Sequence, residues 1–149
     1  MKKYESGRSM IEMLAVLAII GVITVSALSG YSQAMTRYKT SRTVTDIVTI
    51  AEEVFKLYSY RRTYSTETIS CQDLKDEGLL DNATCTNPFG GKYEVRGYSA
   101  NNKCLEIKVG GLSKDVCEQI EAESWSGLTL CGDDDATSCS GGTFTIIVE

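Results

Sequence analysis

The chain has 149 residues, six cysteines, no histidine and a net charge of −5. That length fits one domain with an appendage. Without histidine the commonest general base and metal ligand are missing, and the acidic balance excludes a polyanion as the default partner. In chain order, residues 1–7 are a polar leader with Lys2, Lys3 and Glu5, and it ends at Gly7. An apolar run then begins at Met10. It carries Glu12 just inside its start and no charged residue from position 13 to position 36. As a helix those 24 residues reach about 36 Å, enough to cross a hydrocarbon core of about 30 Å. A carboxylate within such a segment costs roughly 2.5–3.5 kcal/mol at the helix centre and therefore needs a partner. Arg8, one turn earlier, can pair with it locally, and so can a new α-amino group freed by cleavage after Gly7, within the chain or from a neighbour.

Gly7, then Ile11-Glu12 four residues on, then a long apolar helix: this sequence resembles the class III signal of type IV pilins and pseudopilins. The resemblance implies that a prepilin peptidase cuts between Gly7 and Arg8 and methylates the Arg8 amine. It also implies that Glu12 docks each subunit into a helical homopolymer built on an inner-membrane assembly platform. One departure is plain: the family usually begins its mature chain with Phe, Met or Leu, and here it begins with Arg8. Removing the leader's net +1 leaves a mature chain at −6. Two other readings stand beside this one. Lys2 and Lys3 before an apolar core also describe an ordinary secretory signal, with Ala27 and Ser29 before a cut, although such cores run about 7–15 residues and have no use for a carboxylate. A plain signal anchor is the other.

No proline precedes Pro88, so one helix is predicted from near Met10 to about Tyr58. In its second half Val44, Ile47, Val48, Ala51, Val54, Phe55 and Tyr58 recur at helical spacing, with Asp46, Glu52, Glu53 and Lys56 on other faces. The first half is apolar all round and suits lipid or other helices; the second is amphipathic and suits one sheet. Gly21 and Gly30 weaken the helix by about 1 kcal/mol each relative to alanine. The resemblance implies that this region can unwind in a filament, with Gly21 the candidate, while small residues that merely permit close packing are the equal alternative. Arg61 and Arg62 among tyrosines read as a solvated helix end before they read as a nucleic-acid site.

Residues 70–80 read as a short helix capped by Ser70 and ended by Gly78. Asn82-Ala83-Thr84 fits a glycosylation sequon too short to carry weight. Asn87-Pro88-Phe89-Gly90-Gly91 is a turn, followed by strands at 92–98 and 104–109, a Gly110-Gly111 turn, a helix from Ser113 as N-cap, and strands at 128–130 and 143–148. The short helix and Asn-Pro-Phe-Gly-Gly before a strand are also similar to type IVb pilin heads, as is a strand followed by Gly-Leu and a cysteine-bearing helix. Asp133-Asp134-Asp135 suggests calcium, which the similar major pseudopilins bind in a C-terminal loop, but three consecutive side chains point different ways, and a solvated acidic loop is expected.

Cys71, Cys85, Cys104, Cys117, Cys131 and Cys139 all follow the apolar run. An even set with no C-x-x-C pair reads as disulfides of an oxidising compartment and not as zinc. Fifteen connectivities are open. The type IVb resemblance implies Cys117–Cys139; with it we expect a local Cys71–Cys85 staple and the remaining Cys104–Cys131.

The fold expected is α+β: a long N-terminal helix, membrane-spanning in its first half, packed by its second half on a small antiparallel sheet in a disulfide-stapled head. The segments are a leader at 1–7, an apolar helix at 8–36 and a globular head at 37–149. No enzyme is expected, since no nucleophile–base set or cofactor loop is present, and no cofactor, metal or nucleic acid is expected. Lipid is the partner before assembly. The resemblance implies a bacterial inner-membrane chain that moves to a surface pilus or a periplasmic filament. A type IV pilus subunit for adhesion, motility or aggregation leads; a type II secretion pseudopilin and a non-polymerising anchored binding module are the alternatives.

Overall fold

The computed structural model of the chain describes residues 5–58, 68–76, 78, 85–101, 103–132 and 136–149. The chain divides into two units, Met1–Arg37 and Tyr38–Glu149. One helix, α1 (Glu5–Tyr58, 54 residues), contributes to both. It is unbroken at Gly21 and Gly30. In the first unit, side chains from position 10 to position 34 are exposed in the single chain. The segment is apolar all round, so no one face of it can be buried by folding alone.

The second unit is built on a five-stranded antiparallel sheet. Its strands are β1 (Ile69–Ser70), β2 (Tyr93–Gly97), β3 (Leu105–Val109), β4 (Thr137–Ser140) and β5 (Thr143–Val148), in the order β1-β2-β3-β5-β4. Two short helices, α2 (Cys71–Asp76) and α3 (Lys114–Glu121), complete it. Strand alternation sends three cross-strand rows into the core: Tyr93, Val109 and Phe144; Val95, Ile107 and Ile146; and Gly97, Leu105 and Val148. These join Ile47, Ile50, Ala51 and Val54 of α1 and Val116 and Ile120 of α3 in one cluster. The α+β architecture expected from the sequence is present in this coarse form.

Four details differ from expectation. The buried face of α1 is Thr40, Thr43, Ile47, Ile50, Ala51 and Val54, which shares Ile47, Ala51 and Val54 with the predicted stripe but leaves Val44 and Phe55 only partly covered. Asp46, placed on a face other than the apolar stripe, is buried. The strand expected at 128–130 is reduced to a single Leu130–Val148 bridge at the end of β5, and the edge is taken by β4 instead. Ser113 has the extended backbone of an N-cap, yet among the described residues its hydroxyl makes no cap bond; the backbone Cys117 N–H to Ser113 carbonyl bond closes the first turn.

Candidate functional site

The first candidate is the apolar segment of α1. Among the described residues one helix is long and apolar enough to cross a membrane, with an 18-residue window of mean hydropathy 2.4 and nothing in that window buried. Two of its hydroxyls are closed onto the helix itself: Thr24 donates to the Ile20 carbonyl at 2.7 Å and Ser26 to the Val22 carbonyl at 3.0 Å. Donors satisfied in this way do not need water, which is the condition for a polar side chain in lipid. Gly7 and Arg8 lie in the opening turns of α1, and Glu12 follows one turn later with its side chain exposed. Glu12 is not without a partner in the single chain.

In the head, three disulfides hold the loops to the sheet and helices. Cys71 at the start of α2 joins Cys85, Cys104 ahead of β3 joins Cys131, and Cys117 of α3 joins Cys139 of β4. These are the pairs set out above. The last bond links the cysteine-bearing helix to the strand that precedes the final one. Asp133-Asp134-Asp135, Arg61-Arg62 and Asn82-Ala83-Thr84 lie outside the described residues. Among the described residues no group of three or more Cys, Asp or Glu is placed to hold a metal.

Three constellations escaped the sequence reading. On the core side, the Tyr93 hydroxyl donates to Asp46 at 3.2 Å, and the Arg42 guanidinium meets the other Asp46 oxygen at 3.2 Å. Burial, followed by the Asp46 charge, pushes the Tyr93 phenol well above its usual range. On the opposite sheet face, Glu106 is buried between its cross-strand neighbour Arg96, to which it is directly bonded, and Lys108 at 3.6 Å. That bond raises the Arg96 pKa. A shallow cavity of about 140 Å³ on this face is lined by Lys92, Glu94, Lys108 and Thr143.

The third constellation is a backbone contact between the two Gly-Gly turns. The Asn87 amide donates to the Gly110 carbonyl at 2.8 Å, while its side-chain oxygen accepts from the Phe89 and Gly91 N–H groups. A Cβ on Gly91 would lie 1.7 Å from the Gly110 oxygen. The paired glycines were legible as turns, but their mutual approach was not, because nothing local in either turn refers to the other. No protein-family model matches the sequence, and no curated protein and no solved structure matches it.

Proposed function

We propose that this chain is a filament subunit of the type IV pilin class, cut after Gly7 and polymerised through the apolar half of α1. The observation that carries the reading is one acid near the start of an apolar helix, five residues beyond a glycine that closes a basic leader. The helix offers exposed apolar side chains on every side, among them Met13, Leu17, Ile20 and Val25. Before assembly lipid covers them, with Lys2 and Lys3 retained on the cytoplasmic side. Cleavage frees the Arg8 amine, which the resemblance implies is then methylated. Glu12 of an incoming subunit exchanges its partner within the chain for an amine at the growing end, and neighbouring helices replace lipid around the run. Three disulfides suit a head that works in an oxidising compartment.

Adhesion, motility or aggregation as a pilus is the leading use. A type II secretion pseudopilin is the second reading; abundance on the cell surface separates the two. The intact mass of envelope-purified protein tests processing and oxidation together. The expected species begins at Arg8, carries one additional methyl group and lacks six hydrogens. A chain that still carries Met1 removes the basis of the proposal. Glu12→Ala is expected to abolish incorporation into filaments while leaving the disulfide-bonded chain in the membrane. A non-polymerising anchored module would keep its function in that variant.

A further inference from the structure

We infer that the exposed acidic row of α3 on one subunit seats a carboxylate in the lysine-lined cavity on the sheet of a second copy of this chain. The inference rests on the polymer of the proposed function and names surfaces by which its heads meet. The cavity, about 140 Å³, opens on the sheet face away from the core. Lys92, Glu94, Lys108 and Thr143 line it, together with the two Gly-Gly turns. Those turns approach so closely only as glycine: a Cβ on Gly111 would lie 2.8 Å from the Gly91 Cα. One wall is therefore bare backbone. Over this face Lys92, Arg96 and Lys108 stand against Glu94 and Glu106, and the Arg96–Glu106 bond takes one charge of each sign. One positive charge is left over, and Lys92 is exposed with no ion pair among the described residues. The cavity is the complement of a single carboxylate.

Helix α3 carries the carboxylates. Every charged residue from 115 to 123 is acidic, and Asp115, Glu118, Glu121 and Glu123 are all exposed. The first three recur at three-residue spacing on the outward side, while Val116, Cys117 and Ile120 are buried. Among the described residues only Glu118 of the four is paired, with Lys114 at 3.7 Å. Like charges at this spacing repel, and Glu121 lies in a last turn that has no basic residue to meet the negative end of the helix dipole. Within one chain the row is a cost, which a cation from outside offsets. It cannot reach its own cavity. Helix α3 packs on the core side of the sheet along β4 and β5, whereas the cavity lies on the other side, at the ends of β2, β3 and β5. Row and cavity are different surfaces of one chain, so their contact is heterologous, the kind that extends into an open filament. Complementary charge of this sort fixes the register between partners and disfavours wrong ones.

The test uses filaments assembled from equal amounts of unlabelled and heavy-isotope-labelled full chain. A zero-length carbodiimide then joins ammonium to carboxylate where the two are in contact. Digestion and mass spectrometry should find Lys92 or Lys108 joined to Asp115, Glu118 or Glu121 in mixed-isotope pairs. This readout is taken on the wild-type sequence, so it stands whatever a variant does to folding. Charge reversal is the second measurement. Lys92→Glu and Glu121→Lys should each lower the yield of sheared filaments severalfold, and the double variant should regain most of it. Lys103→Glu, at an exposed lysine elsewhere in the head, should leave the yield unchanged. Filaments that cross-link without any of these pairs overturn the inference, as do pairs confined to one isotope. So do single variants at wild-type yield, a double variant no better than either single, or an equal fall in Lys103→Glu. Each of those results leaves the polymer standing. A wild-type chain that forms no filament overturns the proposed function and this inference together.

Discussion

Gly91→Ala is the sharpest perturbation that the head permits. The added methyl carbon would sit 1.7 Å from the Gly110 oxygen, 2.4 Å from the Gly110 carbonyl carbon and 2.9 Å from the Asn87 amide nitrogen. Two of these atoms are backbone, so no side-chain rotation relieves the overlap, and the 87–91 and 110–111 turns must separate. Separation removes the Asn87–Gly110 bond and loosens the two bonds by which the buried Asn87 carbonyl holds its own turn. At about 1 kcal/mol per bond, plus the cost of stranding a buried amide, the loss is about 3–4 kcal/mol. That is a large part of the roughly 5–15 kcal/mol available to a domain of this size, and it lowers the melting temperature by at least about 10 °C. The assay is thermal unfolding of the full chain in detergent, followed in the near-UV where Trp125 and the head tyrosines report packing. Gly21→Ala is the control, since the same methyl there meets nothing within 4 Å and alanine favours helix by about 1 kcal/mol. A Gly91→Ala protein melting within 2–3 °C of wild type (about 1 kcal/mol or less) would refute the reasoning.

Two further predictions concern the buried polar groups. The folded head holds the Tyr93 phenol neutral above its ordinary pKa of 10, so its contribution is complete below pH 10 and is lost as pH rises towards the folded value, by at most about 1.4 kcal/mol per pH unit. Urea unfolding at pH 9 and pH 11 should therefore show a steeper loss in wild type than in Tyr93→Phe, and parallel losses would contradict the assignment. On the other sheet face, Arg96→Leu leaves the Glu106 carboxylate buried with Lys108 as its remaining partner, and should cost about 2–3 kcal/mol. Glu106→Leu should cost less than half as much, because Arg96 and Lys108 both reach water. Equal losses in denaturant melts would show that burial of the carboxylate does not set the asymmetry.

The long helix was legible because its signals are local and repeated: no proline, no charge over 24 residues, then a 3.6-residue period. Strands β2, β3 and β5 were legible for the same reason, since Tyr93, Val95, Leu105, Ile107, Phe144 and Ile146 alternate with outward residues. Strand β4 was not. Its sequence Thr-Ser-Cys-Ser has no apolar alternation, and it exists as a partner of β5, tied by Cys139 to α3. Buried Asp46 and Glu106 were equally hidden. Each sits at a position where local periodicity predicts solvent, and each is buried because residues distant in sequence reach it: Tyr93 is 47 positions from Asp46 and Arg96 is 10 from Glu106. Gly7, Arg8 and Glu12 form a motif in the sequence, but under the proposed function what surrounds Glu12 depends on a second molecule.

That dependence decides what kind of energy assembly can use. Moving the apolar half of α1 from lipid to a bundle of like helices gains little hydrophobic free energy, because lipid tails are as apolar as leucine. What changes is packing, the company of Gly21 and Gly30, and the surroundings of one carboxylate. Within the proposed function, the selective term is therefore the charge on Glu12 meeting an amine of a neighbour where the local dielectric is low. A graded series separates charge from shape. Glu12→Asp keeps the charge one methylene short and should assemble at a reduced yield. Glu12→Gln keeps length and hydrogen bonding but loses the charge, and should fail as completely as Glu12→Ala in sheared-filament yield, with equal amounts of chain in the membrane. If Gln assembles as well as Glu, hydrogen bonding suffices, and the attraction between unlike charges is not what selects the incoming subunit.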